Sequence, residues 1–207
     1  MRQTVRYTSG VADEWLYLTA PDKEYTGEPL KIEVFTDADW AGDTTTMKST
    51  SSSFMCVDGF LLGTNVQLQD THAQSSGESE FYAMGAGCCD GMYAKVLLKE
   101  FGLESYIQLK CDATAGKAIA QRMGLSKRTR HVNVKHLFIQ ELVQANEIDV
   151  KKVDTEKNIS DMGTKHLKKD RFNMLKRMIG KGCLPTMNEE VCTVSLDVCA
   201  VRLNKKE

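Results

Sequence analysis

Four acidic residues, Asp37, Glu80, Asp112 and Asp161, stand at informative places in the chain. Asp37 follows a strand pattern, Glu80 falls in the first turn of a long helix pattern, Asp112 closes another strand pattern, and Asp161 lies near the start of the last helix pattern. Strand ends and helix starts meet at one edge of an α/β sheet, where ligands bind. Hard cations take oxygen ligands, and crowded carboxylates repel one another without a cation. Two divalent ions about 4 Å apart can activate an in-line water and stabilise the leaving oxygen of a phosphodiester. A single acid is more often a turn former or a helix cap, and the chain has 28 Asp and Glu in all. The weight therefore rests on the four together and on the residues around them.

The elements that must position these acids are legible as patterns. Trp15 to Leu18 reads as a short strand or lead-in, followed by the turn Pro21-Asp22-Lys23. Residues 31–36 alternate in polarity and predict a strand that delivers Asp37 at its end. Residues 37–53, rich in Ser, Thr and Gly, read as beginning with a loop. Residues 54–57 and 60–68 predict a hairpin around Asp58-Gly59, a two-residue turn sequence. Ser75 or Ser76 could cap a helix over about 78–101 with Phe81, Met84, Cys88, Met92, Val96 and Leu97 on its apolar face. In that helix Gly85, Gly87 and Gly91 lower the propensity and point to close packing. Residues 106–111 predict a buried strand, 115–123 a short helix, 132–144 a helix, 147–153 a strand, and 159–179 a final helix capped at Thr155 or Asn158. The expected fold is a mixed α/β sheet with an antiparallel side and a parallel side, flanked by helices.

Composition bounds the rest. The 207 residues are 42% hydrophobic with 15 Gly and 3 Pro, which suits a globular chain able to bury a core. Residues 1–30 are expected to form a lead-in, 31–182 the domain, and 183–207 a tail. Seven cysteines without a CxxC pair predict reduced thiols and an intracellular setting, not a zinc site. The polar opening Met1–Thr8 is unlike a signal peptide, and no run approaches the ~18 apolar residues of a membrane span. The net charge of −1 does not by itself favour nucleic acid, but charge distribution matters more than the total.

Five blocks carry a resemblance. They are Phe35-Thr-Asp-Ala-Asp-Trp-Ala-Gly-Asp43 followed by Lys48-Ser-Thr50; Gln74-Ser-Ser-Gly-Glu-Ser-Glu-Phe-Tyr-Ala83; Cys111-Asp112 with Ala118-Ile119; Arg128-Thr-Arg-His-Val-Asn-Val-Lys-His136; and Asn158-Ile-Ser-Asp-Met-Gly-Thr-Lys165. In this order, over about residues 31–180, they resemble the ribonuclease H domain of copia-type retrotransposon reverse-transcriptase polyproteins. Residues 4–18 faintly resemble the end of the preceding connection region.

The resemblance implies a ribonuclease H-like fold with a five-stranded mixed sheet. It implies an endonuclease that hydrolyses the RNA strand of RNA–DNA hybrids, with an attached or associated reverse-transcriptase domain as partner. The setting would be cytoplasmic, in a virus-like particle, or nuclear. Implied metal ligands are Asp37, Glu80, Asp112 and Asp161, holding two Mg²⁺ ions or Mn²⁺. Asp39, two residues from Asp37, is the expected outer acid. Glu78 would be turned about 200° from Glu80 on a helix, off the site. Two positions depart from the pattern: Gly77 replaces a Thr and Ala113 replaces an Asn, the latter a change that could remove a polar contact to substrate.

Between Asp112 and Glu141 there is no acidic residue, while Lys117, Arg122, Lys127, Arg128, Arg130 and Lys135 occur. Such residues would give salt-dependent, sequence-independent affinity for phosphates. A second basic stretch includes Lys165, Lys168, Lys169, Arg171, Lys176 and Arg177. Lys127, Arg128, Arg130, Lys135 and Ser76 are the expected substrate contacts, with Ser75 and Thr114 placed to read 2′-hydroxyls beside the metals. His131 is a candidate for proton transfer, against a structural place at the start of a helix. Trp40 and Phe54 are expected in the core. The alternative on the same fold is a catalytically weak or inactive hybrid-binding or spacer domain.

Overall fold

The computed structural model describes residues 27–124 and 137–179 in full, and the backbone alone of 15–18, 181–182 and 192–193. The main sheet contains β1 (Leu30–Asp43), β2 (Lys48–Val57), β3 (Phe60–Leu68), β4 (Ser105–Cys111) and β5 (Ile148–Lys152). Their order across the sheet is β3-β2-β1-β4-β5. β1 and β2 are antiparallel, as are β2 and β3, whereas β4 lies parallel to both β1 and β5. This is the expected mixed sheet. Outside it, Trp15–Leu18 pairs antiparallel with Lys181–Gly182 and Cys192–Thr193.

The β2–β3 hairpin turns at Asp58 and Gly59, both in the left-handed region at φ 46° and 88°. That is the geometry the strand twist prefers in a two-residue connection. The sheet extends further than the polarity pattern suggests. β1 runs on through Asp37 to Asp43, and β2 begins at Lys48, so most of the expected loop is strand. Four of its serines, Ser49, Ser51, Ser52 and Ser53, are buried.

The reason is close approach from both faces. Helix α1 (Ser76–Glu100) covers one face. A Cβ on its Gly87 would lie 2.5 Å from Thr36 Cγ2 and 3.0 Å from Val34 Cγ1, and one on Gly91 would lie 3.0 Å from Val34 Cγ2. Small side chains on strand and helix let the two backbones meet. The larger core lies here, with Ile32, Val34, Phe81, Met84, Ile107 and Leu109 all at most 1% exposed. Val96 and Leu97, expected on the apolar face, are exposed, whereas Ala94 and Leu98 of the same half pack on the core.

On this side also lie α2 (Thr114–Ala120) and α3 (Phe138–Gln144). The opposite face carries a smaller core of Phe35, Phe54, Cys56, Ile159, Leu175 and Ile179. Phe54 is thus a core residue as expected, but Trp40 is half exposed and donates from its indole Nε1 to Ala73 O at 3.0 Å.

The expected single helix over 159–179 is instead broken. A 3₁₀ turn (Thr155–Lys157) capped by Asp154 precedes a one-turn helix α4 (Asp161–Thr164), and α5 (Lys169–Met178) follows. Asn158 is no helix cap. It is fully buried, donates from Nδ2 to Thr36 O at 3.1 Å, and accepts at Oδ1 from Ser160 Oγ at 2.6 Å. This pins the entry of α4 to β1.

Candidate metal centre

Register determines where the first two acids meet. β1 and β4 are parallel, with Thr36 opposite Cys111. Asp37 and Asp112 are each one residue past that pair, so they stand side by side where β4 ends and β1 continues. Asn158 and Ser160 hold the start of α4 against β1, which brings Asp161 to the same place. One carboxylate oxygen from each of Asp37, Asp112 and Asp161 lies within 4.8 Å of the others. Asp37 and Asp161 are buried and Asp112 is partly exposed.

Glu80 enters from the first turns of α1, whose N-cap Ser75 accepts the Glu78 N–H. Its Oε2 is buried without a hydrogen-bond partner. Burial, then the charges of Asp37 and Asp112, push its carboxyl up to about 8. Asp37 is also raised, first by burial, against a hydrogen bond from Thr164 and the charge of Lys165. Cys111, beside Asp112, is pushed up to about 12 by burial and then by Glu80 and Asp112. Its thiol stays protonated and adds no anionic ligand.

The two competing acids behave differently from these. Glu78 is buried, accepts the Gln74 N–H at 2.8 Å, and takes a hydrogen bond from the Tyr82 hydroxyl. Ser75 Oγ in turn accepts the Glu78 N–H, so Glu78 is tied to the N-terminus of α1. The Asp39 carboxylate folds over Gly42 at the irregularity between Asp39 and Asp43.

Two basic side chains expected to face substrate turn inward instead. Lys165 Nζ lies 2.6 Å from Asp161 Oδ1 and 3.1 Å from Asp37 Oδ1. Arg171 places NH2 2.7 Å from Asp161 Oδ2 and 2.5 Å from Thr155 O, with NH1 on Glu156. Lys176 is buried, with Nζ 6.0 Å from the Phe172 ring centroid. Lys168, Lys169 and Arg177 keep exposed positions. Sequence reasoning missed Lys165 and Arg171 because their acid partners are fixed by tertiary placement, although the i, i+4 spacing of Asp161 and Lys165 was a usable signal. Ser76 is exposed one turn before Glu80. His131, Lys127, Arg128, Arg130 and Lys135 lie outside the described residues.

Two relatives are similar to this chain in sequence. A retrovirus-related Pol polyprotein from transposon TNT 1-94 of Nicotiana tabacum is 28% identical over 178 residues, which is 85% of this chain and 13% of that protein. One from transposon RE2 of Arabidopsis thaliana is 25% identical over 182 residues, 87% of this chain and 12% of that protein. The chain's homologues are plant copia-type Pol polyproteins. It spans only about an eighth of the length of these copia-type relatives.

No protein-family model matches the chain. Among solved structures, the N-terminal RNase H domain of Rv2228c from Mycobacterium tuberculosis aligns at 12% identity and TM-score 0.46, over 72% of this chain and 97% of that one. LC11-RNase H1 in complex with RNA/DNA hybrid aligns at 13% and 0.46, over 64% and 92%.

Both departures from the copia-type pattern have structural accounts. Gly77 packs on α2: a Cβ there would lie 2.7 Å from Ala115 Cβ. Ala113 is the N-cap of α2 and supplies no side-chain cap. What an Asn would offer here is a helix cap, ordinarily worth ~1 kcal/mol.

Gly163 yields a prediction. A Cβ there would collide with Ser52 Oγ and lie 2.7 Å from Val66 Cγ2, so α4 rests directly on β2 and β3. Gly163→Ala is expected to lift the helix that carries Asp161, at about 1–3 kcal/mol of stability. Urea unfolding would measure the loss, and Ser52→Gly in the same chain should recover part of it.

Proposed function

We propose that this chain is a metal-dependent endonuclease that hydrolyses the RNA strand of RNA–DNA hybrids during reverse transcription of a retrotransposon. The observation that carries this reading is the meeting of Asp37, Asp112 and Asp161, drawn from three separate elements, with carboxylate oxygens within 4.8 Å. The descent shared with Pol polyproteins supplies the context.

The residues fit a divalent metal. The donor set is all carboxylate, which suits Mg²⁺ or Mn²⁺, and Glu80 Oε2 is a buried acceptor with nothing to accept from. Asp37, Glu80, Asp112 and Asp161 would hold two ions. When bound, such ions supply Lewis acidity toward both the attacking and the leaving oxygen of a phosphodiester.

The chain's own side chains orient this chemistry. Asn158 and Ser160 position Asp161, and the Thr164 hydroxyl fixes the Asp37 carboxylate by donating to Oδ2. Exposed Ser76 stands at the edge of the site where a 2′-hydroxyl of the RNA strand could be met. Lys127, Arg128, Arg130 and Lys135 supply phosphate contacts, and His131 carries a proton. The attached partner is a reverse-transcriptase domain elsewhere in the polyprotein.

Substrate choice is the test. The chain is expected to cut the RNA of a labelled hybrid in Mg²⁺ and to stop on addition of chelator. Equal cutting of hybrid and all-DNA duplex would refute the substrate assignment, and cutting in chelator would refute the metal assignment.

A further inference from the structure

The buried acids of this site carry their own cation. Asp37 and Asp161 are 0% and 1% exposed, and a buried carboxylate without a partner is costly. All four of their oxygens are engaged. Asp37 Oδ2 accepts from Thr164, and Asp161 Oδ2 accepts from Arg171. The two Oδ1 atoms share one donor, Lys165 Nζ, at 3.1 and 2.6 Å.

The two basic residues are held very differently. Arg171 is anchored a second and third time, on Thr155 O and Glu156. Among the described residues, the Lys165 ammonium is hydrogen-bonded to the two carboxylates of Asp37 and Asp161. Its backbone N–H closes α4 on Asp161 O at 2.9 Å, and its side chain, 40% exposed, spans from that C-cap to the mouth of the site. A cation shared by Asp37 and Asp161 needs an oxygen from each. The pair with one loosely held partner is the pair of Oδ1 atoms.

We propose that the Lys165 ammonium is a resident cation of this cluster, exchanging with a divalent ion for Asp37 Oδ1 and Asp161 Oδ1. The inference rests on the reading of these acids as a metal centre. The metal-free chain thereby gives buried Asp37 a cation and Asp161 a second one beside Arg171, and metal binding becomes a replacement rather than a filling of empty space. The ammonium, once released, remains on its four-carbon stem at the mouth of the site, where a substrate phosphate would pass. Ion binding and phosphate binding would then reinforce each other, and such coupling is reciprocal.

The test is Mn²⁺ binding by calorimetry to the full chain without nucleic acid, compared with Lys165→Met and Lys165→Gln. Removing the competitor is expected to tighten Mn²⁺ on the order of tenfold, while the unfolding midpoint in chelator falls. Should both variants fail to fold, the wild-type chain still decides. Acetylation of Lys165, read by peptide mass, is expected to rise severalfold on adding Mn²⁺, with exposed Lys168 as the unchanged reference. Equal or weaker Mn²⁺ binding by folded variants, or Lys165 acetylation indifferent to Mn²⁺, would overturn the exchange while leaving the metal centre intact. No Mn²⁺ binding by wild type or variants would overturn the metal centre itself.

Discussion

In chelator at pH 9, Glu80→Gln is expected to be more stable than the parent chain by several kcal/mol, and in Mg²⁺ to cleave hybrid about a thousandfold more slowly. The stability part follows from the carboxyl of Glu80, pushed from 4.5 up to about 8 by burial and by Asp37 and Asp112. A group whose folded value lies above its unfolded one adds stability that is complete below the unfolded value. That stability is lost as pH rises through the folded value. For Glu80 the window runs from about pH 4.5 to about 8, and the shift corresponds to roughly 5 kcal/mol across it. The metal-free parent should therefore weaken steadily from pH 5 to about 8 and little beyond. Gln cannot ionise, so the variant should lose most of that slope. Asp37, also raised by burial, acts in the same direction in both proteins and leaves a shallower residue of it.

Urea midpoints at pH 5, 7 and 9 measure the effect. Excess Mg²⁺ should flatten the parent's slope, because ions favour the ionised cluster, and should do little to the variant. Identical slopes for the two proteins in chelator would contradict the placement of Glu80 among the acids.

A stabilising change that removes activity is what a site of crowded like charges implies. On the proposed function, the repulsion among Asp37, Glu80, Asp112 and Asp161 is the stability cost of a metal site. Lys165 and Arg171 offset part of that cost in the metal-free chain.

Local patterns were enough for the frame of this site. The alternation over 31–36, the Asp58-Gly59 turn and the Ser75 cap each express a short-range rule, and each has its counterpart in β1, the β2–β3 hairpin and α1. The three aspartates meet where strand ends and helix starts were expected to bring them. What escaped the patterns depends on partners distant in sequence. Ser51, Ser52 and Ser53 look like loop residues, yet they are strand because Gly87 of α1 and Gly163 of α4 approach so closely that only small side chains fit. The final helix breaks between Thr164 and Lys169, and its entry is fixed where Asn158 donates to Thr36 O across 122 residues. Lys165 reads as a substrate-facing charge until its contact with Asp37, 128 residues away, turns it inward. The burial of Glu78, which accepts from Gln74 N–H and the Tyr82 hydroxyl, could not be read from spacing alone.

The central claim is that these acids perform hydrolysis and do not merely mark a binding fold. Asp112→Asn isolates it best, since Asp112 is partly exposed and, among the three clustered aspartates, is the one that Lys165, Arg171 and Thr164 do not hold. The substitution should spare folding and remove one ligand oxygen charge. Cleavage of the RNA strand of a labelled hybrid in Mg²⁺ is the measurement. Cutting by the parent chain and a loss on the order of a thousandfold in Asp112→Asn, with hybrid still bound, is the predicted result. Equal cutting by both, or hybrid binding by both without cutting in either Mg²⁺ or Mn²⁺, would contradict it.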